Sequence, residues 1–432
     1  MKKAILSNRI YMNADPTLLK ELDEELTYKI PSYKANEQPT IIKTIKRIKP
    51  GLVSIPIGRR DLIPDDYEVK DKRILVPTEF PITKGEITLR PAQKKIYDDI
   101  DSNALINAKV SWGKTFTGIA IAQKLGQKTL VITHTIAIRS TWVKEYKKFF
   151  GIEPSIIGSG KFNTSGPLVV ANIQSLYNYL PQVAEMFGTV IVDEVHRVPS
   201  RTFSTIVDSL YAKYKIGLSG TLERKDGKHV VLRDYFGEKV YTPPKENQME
   251  PIIHIIKSPI RFMDGARVPW AVRENDLCAN EEYRHLVAML SAAYAAKGHK
   301  VLTVANRVHF LKQCALLSGP SAISITSVDS PEYRDSLEDK LISGKIDQIF
   351  GTGKIFSEGI SIPPLSCLIL AGPLNNMPLL EQLIGRIQRK LEGKPQPIVV
   401  DINLKGSTAT RQANGRLGHY IKQGHMYKIF ET

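Results

Sequence analysis

Between residues 103 and 221, short apolar runs alternate with longer stretches of helical period. Leu130-Val131-Ile132, Leu168-Val169-Val170, Val190-Ile191-Val192 and Ile216-Gly217-Leu218 contain no alternating polar residue, so they read as strands buried on both faces. Thr115–Leu125 reads as a helix closed by Gly126, and Ile136–Phe150 as a second closed by Gly151. Strands separated by helices imply βαβ units and a parallel sheet.

The pattern recurs further on. Val301–Val304, Ala322–Ile325, Gln348–Gly351, Cys367–Ala371 and Ile398–Asp401 are strand candidates, with helical stretches at about 280–297, 306–317, 331–343 and 378–390 between them. Two α/β domains therefore follow one another. Their join is expected near Tyr241–Asn247, where Pro243, Pro244 and polar residues interrupt the periodicity. Residues 1–86 differ: Ile41–Lys49 mixes apolar and basic residues at near-strand period, and Pro50-Gly51 and Ile57-Gly58 are turn signals. The expected layout is a small β-containing accessory domain over 1–86, then α/β domains over 87–242 and 243–432. The basic run reads equally as a DNA-contacting surface and as a strand edge guarded by lysines.

Two of the strands end in chemistry. One apolar run leads into Lys109-Val110-Ser111-Trp112-Gly113-Lys114-Thr115, the order of strand, phosphate loop and helix. Another ends in Asp193-Glu194-Val195-His196. Backbone N–H groups and a lysine suit phosphates, a hydroxyl and a carboxylate suit Mg²⁺, and a second carboxylate suits an attacking water. The phosphate-loop pattern asks for glycine where Ala108 stands, and many such loops have glycine in place of Ser111. Trp112 is large for the turn, so its ring is expected to point away from the phosphates or pack beneath the loop.

Charge widens the picture. Lys plus Arg number 60 against 44 Asp plus Glu, a net charge of +16 over 432 residues, which suits a polyanionic partner. No apolar run approaches the roughly 18 residues of a membrane span, and the first residues lack a signal peptide's apolar region. Cys278, Cys314 and Cys367 are far apart and form no Cys-x-x-Cys pair, which argues against a zinc or iron–sulfur site and for a reducing compartment.

The order of motifs then becomes informative. Leu89-Arg90-Pro91-Ala92-Gln93 precedes the phosphate loop. Thr133-His134-Thr135, Ala171–Leu176, Asp193–His196 and Gly217-Leu218-Ser219-Gly220-Thr221 follow it. The second domain adds Gly351–Lys354, Glu358–Pro363 and Gln382–Arg389. Over residues 89–402 the chain resembles superfamily 2 helicases, most closely the phage-encoded branched-DNA helicases of the UvsW type, relatives of XPB and of type III restriction motors. The resemblance implies two tandem RecA-like parallel-sheet domains beside the N-terminal β-containing one, with ATP and Mg²⁺ as cofactors. It implies that Gln93 reads the adenine edge with Arg90 nearby, and that Ser111, Trp112 and Gly113 form the phosphate loop. Lys114 then pairs with the β- and γ-phosphates, Thr115 and Asp193 bind Mg²⁺, and Glu194 polarises the attacking water. His196, Gln382, Glu358 and Gly359 contact or relay the nucleotide, Ser219 and Thr221 couple hydrolysis to strand movement, and Arg386 and Arg389 reach the γ-phosphate across the cleft. Arg386 and Arg389, at i and i+3 on one helix face, equally suit a surface charge pair.

Contacts to DNA are expected from Thr133, Arg139, Gln174 and Ser175 in the first α/β domain and from Arg307 and Thr352 in the second. The basic loop 221–229 is a further candidate. The resemblance implies an ATP-dependent helicase that remodels forks and Holliday junctions by 3′-to-5′ movement. It acts as a monomer on DNA, beside phage replication or recombination proteins in the cytoplasm of an infected bacterium. An RNA helicase, a duplex translocase such as a restriction motor, and a DNA-binding scaffold that never hydrolyses ATP stay open. Against them stand the lack of a DEAD-box pattern, the lack of a Pro-Asp…Glu-x-Lys nuclease motif, and the presence of Glu194 with both arginines.

Overall fold

The computed structural model describes residues 2–31, 38–109, 111–198, 201–220, 222, 227–244, 246–265, 267–357 and 362–431. Its contacts divide the chain into two units, Met1–Lys245 and Glu246–Thr432.

The first unit is built on a largely parallel sheet. Its strand order is Lys161–Phe162, Ser155–Gly158, Leu168–Asn172, Thr129–Thr133, Thr189–Asp193, Tyr214–Ser219, Ala104–Asn107 and Val240–Tyr241. The central strands are buried along their whole length, which is why their sequences show no alternation. Helix Ile136–Phe150 packs against them through Ile138, Trp142, Tyr146, Phe149 and Phe150. Thr135 caps its N-terminus by accepting from the Ile138 N–H, and Gly151, at φ 77°, ends it. The phosphate-loop helix Lys114–Leu125 likewise ends at left-handed Gly126.

Residues 2–71 form their own sheet, ordered Lys46–Lys49, Leu52–Ile55, Ile10–Asn13, Lys2–Leu6 and Tyr67–Asp71, over a small apolar core including Leu6, Ile10, Met12, Leu22, Val53 and Ile55. The expected accessory segment nevertheless lies within the first unit, tied to it by two buried charge clusters. Arg9, 3% exposed, pairs with Asp208 and also donates to Ser54 and the Thr44 carbonyl. Close by, the fully buried Lys215 donates to the carbonyls of Val207 at 2.7 Å and Asn8 at 3.4 Å, and burial pushes its pKa down to about 7. In the second cluster the buried Asp234 accepts from Tyr28 (2.8 Å) and Thr44 (2.7 Å), with Arg59 at 3.6 Å. The basic run at 41–49 is not one strand. It breaks at Thr44, whose hydroxyl turns inward to Asp234, leaving Thr40–Lys43 and Lys46–Lys49 in different sheets.

The second unit carries a parallel sheet ordered Ala322–Ile325, Gln348–Thr352, Val301–Ala305, Cys367–Leu370, Ile398–Lys405, Ile252–Arg261 and Tyr427–Glu431. The last two strands were not foreseen, nor were helices Trp270–Ala279 and Ser407–Lys422. Ile252–Arg261 is disguised by Pro259, which lies where the register against Ile398–Lys405 shifts. Ser407–Lys422 buries Ala409, Gln412, Ala413, Arg416 and Tyr420, a helical face without an apolar stripe.

Candidate nucleotide site

The site gathers at the carboxyl ends of the first unit's central strands, where open α/β sheets bind ligands. Strand Ala104–Asn107 runs beside Tyr214–Ser219, and the Ala108 N–H donates to the Ser219 carbonyl at 2.9 Å. The chain then turns through left-handed Ser111 (φ 65°) and Gly113 (φ 91°) into helix Lys114–Leu125. Gly113 is required twice over. Its φ is unfavourable for an L side chain, and a Cβ would meet Gln93 Nε2 at 2.7 Å.

Arg90 and Gln93 clamp this turn. The Gln93 amide donates to the Trp112 carbonyl at 3.0 Å and accepts the Arg90 backbone N–H at 3.0 Å, and the Arg90 guanidinium also reaches the Trp112 carbonyl. Both ends of the Gln93 amide thus engage the loop and its own helix start, and the residue is 3% exposed. Trp112 lies beneath the loop, 1% exposed, in the core with Ile96, Ile106 and Trp142. Ala108 is fully buried, so its methyl stands on the core side of the loop. Lys114 Nζ donates to the carbonyls of Ala108 (2.9 Å) and Lys109 (3.3 Å), which holds the ammonium over the loop. Thr115, in the first helical turn, is half-buried.

The acidic pair stands at the end of Thr189–Asp193. Asp193 Oδ2 accepts from the Trp142 indole N–H at 2.8 Å, and Oδ1 accepts the Glu194 N–H at 2.9 Å. Glu194 is left-handed, φ 53°, which turns its side chain away from the strand direction. Its Oε2 lies 3.2 Å from His196 Nδ1, which is 2.9 Å from Ser219 Oγ. Burial and the adjacent Glu194 charge raise Asp193 to about 6. Burial alone would raise Glu194 too, but the His196 hydrogen bond and the Lys114 charge outweigh it and hold it low. His134, on the neighbouring strand end, is driven down to about 4 by burial and by Arg197, so it is neutral.

Lys114, Thr115, Asp193, Glu194, His196, Ser219, Arg90 and Gln93 are therefore brought to one edge of the first unit. Trp142 was missed, because a tryptophan inside an amphipathic helix reads as core. Its role shows only in the pairing of Thr129–Thr133 with Thr189–Asp193, which packs the following helix against the acidic pair.

The other expected residues fare differently. Thr133 is fully buried and its hydroxyl donates to the Ala171 carbonyl at 3.1 Å. Arg139 is 8% exposed and donates to Ser159 at 2.8 Å, packing inside the unit instead of projecting from it. Gln174 is exposed and Ser175 half-exposed at the start of helix Ile173–Asn178. Arg307 pairs with Glu274 at 3.1 Å, and Thr352 is half-buried at a strand end. Gln382 and Arg386 lie on helix Met377–Ile387, each half-buried. The helix stops at Ile387, so Arg386 and Arg389 do not share a helix face. Arg389 is opposite Gln248 in an antiparallel bridge, because that backbone bonds to residues 247 and 249. Glu358, Gly359, Thr221 and most of the basic loop lie outside the described residues.

Residues 86–224 match the family model described as Type III restriction enzyme, res subunit, and residues 281–390 match the Helicase conserved C-terminal domain. The chain is 40% identical over 429 residues to a protein of Escherichia phage T5 named Probable helicase D10, covering 98% of this chain and 95% of that one. The chain belongs to the superfamily 2 helicases. It is an ATP-driven enzyme with helicase or translocase activity. A more distant relative, from Sulfurisphaera tokodaii and named DNA 3′-5′ translocase XPB2, is 24% identical over 83% of this chain and 91% of its own length. The fold is shared with the helicase MrfA, solved bound to DNA, at TM-score 0.59 and 13% identity, covering 83% of this chain and 53% of that one. Among the described residues no helix is long and apolar enough to cross a membrane.

Proposed function

We propose that this helicase works on DNA and remodels branched substrates, forks and four-way junctions, by 3′-to-5′ movement during phage replication, recombination or repair in the host cytoplasm. The observation that carries the catalytic half is Glu194. A left-handed carboxylate held low by His196 and Lys114 is ionised at neutral pH and can accept a hydrogen bond from the attacking water, polarising it. Lys114 and the loop N–H groups hold the phosphates. Thr115 and Asp193 fit a Mg²⁺ ion, since the hydrogen bonds to Asp193 come from neutral donors. Bound there, the ion would neutralise phosphate charge as the terminal bond breaks. Gln93, with Arg90 nearby, meets the adenine edge, and both hold the loop's shape through the Trp112 carbonyl. Arg386 and Arg389 stabilise the departing γ-phosphate, and Gln382 and His196 relay its loss.

Grip on the strand falls to Gln174, Ser175 and Thr352, through phosphate contacts that depend on salt more than on sequence. The N-terminal sheet supports the branched-DNA reading. Buried ion pairs clamp residues 2–71 to the rest of the first unit, so a duplex held by Lys43, Lys46, Arg47 and Lys49 moves with that unit. Removing residues 1–86 would strand Asp208, Lys215 and Asp234, so truncation does not test this. Replacing Lys43, Lys46, Arg47 and Lys49 together does. Lys43 and Arg47 share Asp23, and Lys46 reaches Asp208, so DNA phosphates compete with these carboxylates for the exposed basic side chains.

The deciding experiment compares ATP-dependent unwinding of forks, four-way junctions, plain duplex and RNA–DNA hybrids, with Lys114→Ala as the inactive control. Faster processing of forks and junctions is expected. Equal rates on plain duplex, or a preference for RNA, would overturn the reading.

A further inference from the structure

The first residues of the second unit do not run free into its sheet. They lie along the segment that bears Arg389. The Met249 N–H donates to the Gln388 carbonyl at 2.7 Å, and the Lys390 N–H donates to the Asn247 carbonyl at 3.2 Å. These two bonds bracket the antiparallel pair Gln248 and Arg389. From the other side, Lys394 Nζ donates to the Arg389 carbonyl at 2.8 Å and to the Pro363 carbonyl at 3.0 Å. The attachment continues inward. The Gln396 amide bonds the Glu250 carbonyl, and the Ile252 N–H donates to the Pro397 carbonyl at 2.9 Å, where Ile252–Arg261 joins Ile398–Lys405. At the outer end Asn247 is left-handed, φ 56°, a bend few side chains other than asparagine accept.

Arg389 needs this support. It lies two residues beyond the end of helix Met377–Ile387 and belongs to no strand of the sheet. A guanidinium that acts on a departing phosphate must be placed closely, and a displacement of about 1 Å costs on the order of 100-fold in rate. Its backbone is fixed by the 247–249 strap and by Lys394. The strap is also the stretch that directly continues the chain from Lys245, the last residue of the first unit.

We propose that Asn247–Met249 and Lys394 are positioning residues for Arg389, a strap through which the connecting chain sets where that guanidinium stands. The proposal rests on the reading of Arg389 as the residue that meets the γ-phosphate. The strap does not touch nucleotide. It acts by holding the Arg389 backbone, so its loss lowers turnover and spares ATP binding.

The test uses the full chain and DNA-stimulated ATP hydrolysis. Met249→Pro deletes the N–H that the Gln388 carbonyl accepts. Lys394→Met deletes the donor to Arg389 and keeps the bulk of the stem. Each is expected to lower kcat roughly 10- to 100-fold with KM for ATP changed less than about threefold. Neither should lower turnover further in an Arg389→Ala background, because the residue through which they act is gone. If Arg389→Ala turns over as the parent does, the γ-phosphate reading itself falls. If Arg389→Ala is slow while Met249→Pro and Lys394→Met keep the parental kcat, that reading stands and the strap is overturned. Losses that multiply in the Arg389→Ala background overturn it as well. Should Met249→Pro be insoluble, Lys394→Met decides alone by the same criteria.

Discussion

Each of the two parallel sheets buries an aspartate, and the two acids are treated in opposite ways. In the second unit Asp401, 2% exposed, is neutralised where it stands. Arg416 grips both oxygens at 2.8 and 2.7 Å, and the Tyr420 hydroxyl adds a bond at 3.0 Å. In the first unit Asp193, 7% exposed, is met by an indole N–H and a backbone N–H, both neutral, and a second carboxylate follows it directly. A buried acid paired with arginine is spent on the fold. One held by neutral donors stays oriented and under-compensated, which is the condition for receiving a cation. The same architecture yields a strut in one sheet and a reactive edge in the other, and the difference lies in the donor that the neighbouring helix supplies.

The most severe way to break the reactive edge is Glu194→Gln. On the proposed reading it removes the carboxylate that polarises the attacking water and should slow hydrolysis about 100- to 10,000-fold while nucleotide still binds. Single-turnover hydrolysis beside a nucleotide-binding titration checks both parts. The matching change in the strut is Asp401→Ala, which leaves the Arg416 guanidinium buried without its partner. It should cost about 3–5 kcal/mol in urea unfolding, with ATP turnover per folded molecule close to the parent's.

Trp142→Phe sharpens the comparison by removing only the N–H. Supporting partners of a metal-binding group typically contribute about 10- to 100-fold, and a loss of that size is expected in activity at limiting Mg²⁺. The pH dependence has a definite sign. Asp193 is already raised to about 6 by burial and by Glu194, and the indole bond opposes that rise. Without it the pKa climbs further. Asp193 is ionised above its pKa and becomes protonated as pH falls through it, so the acid limb of the ATPase profile should move to higher pH in Trp142→Phe. The smallest effect is expected for Gly118→Ala. A Cβ there would meet the far edge of the Trp142 ring at 2.7 Å. Overpacking of this kind costs about 1–3 kcal/mol, and a displaced ring should shift the acid limb in the same direction as Trp142→Phe but less far. Thermal unfolding with the pH profile measures both.

Much of the site was legible because its chemistry is local. Gly113-Lys114-Thr115 and Asp193-Glu194 each follow an apolar run, and chain order alone implies that both lie at strand ends. The DNA contacts were less legible. Thr133 and Arg139 occupy positions that look exposed in a linear reading, yet one hydroxyl is satisfied by a neighbouring strand and the arginine folds back onto Ser159. Arg389 was read as helical because the periodicity runs on past Ile387. Beyond it the backbone bonds elsewhere: the Gln388 carbonyl accepts from the Met249 N–H and the Lys390 N–H donates to the Asn247 carbonyl, partners far away in sequence.

The sequence by itself determined the elements whose pattern is carried by nearest neighbours: the buried strands, the capped helices, the phosphate turn and the acidic strand end. Local sterics and the burial of apolar side chains suffice for these. Tertiary structure decided which donors meet Asp193, how Asp401 is neutralised, that buried charges fasten residues 2–71 to the first unit, and that a strap holds Arg389. Each of these depends on polar groups distant in sequence that are desolvated together, and their pairing is fixed only when strand register and helix packing bring them within hydrogen-bond reach.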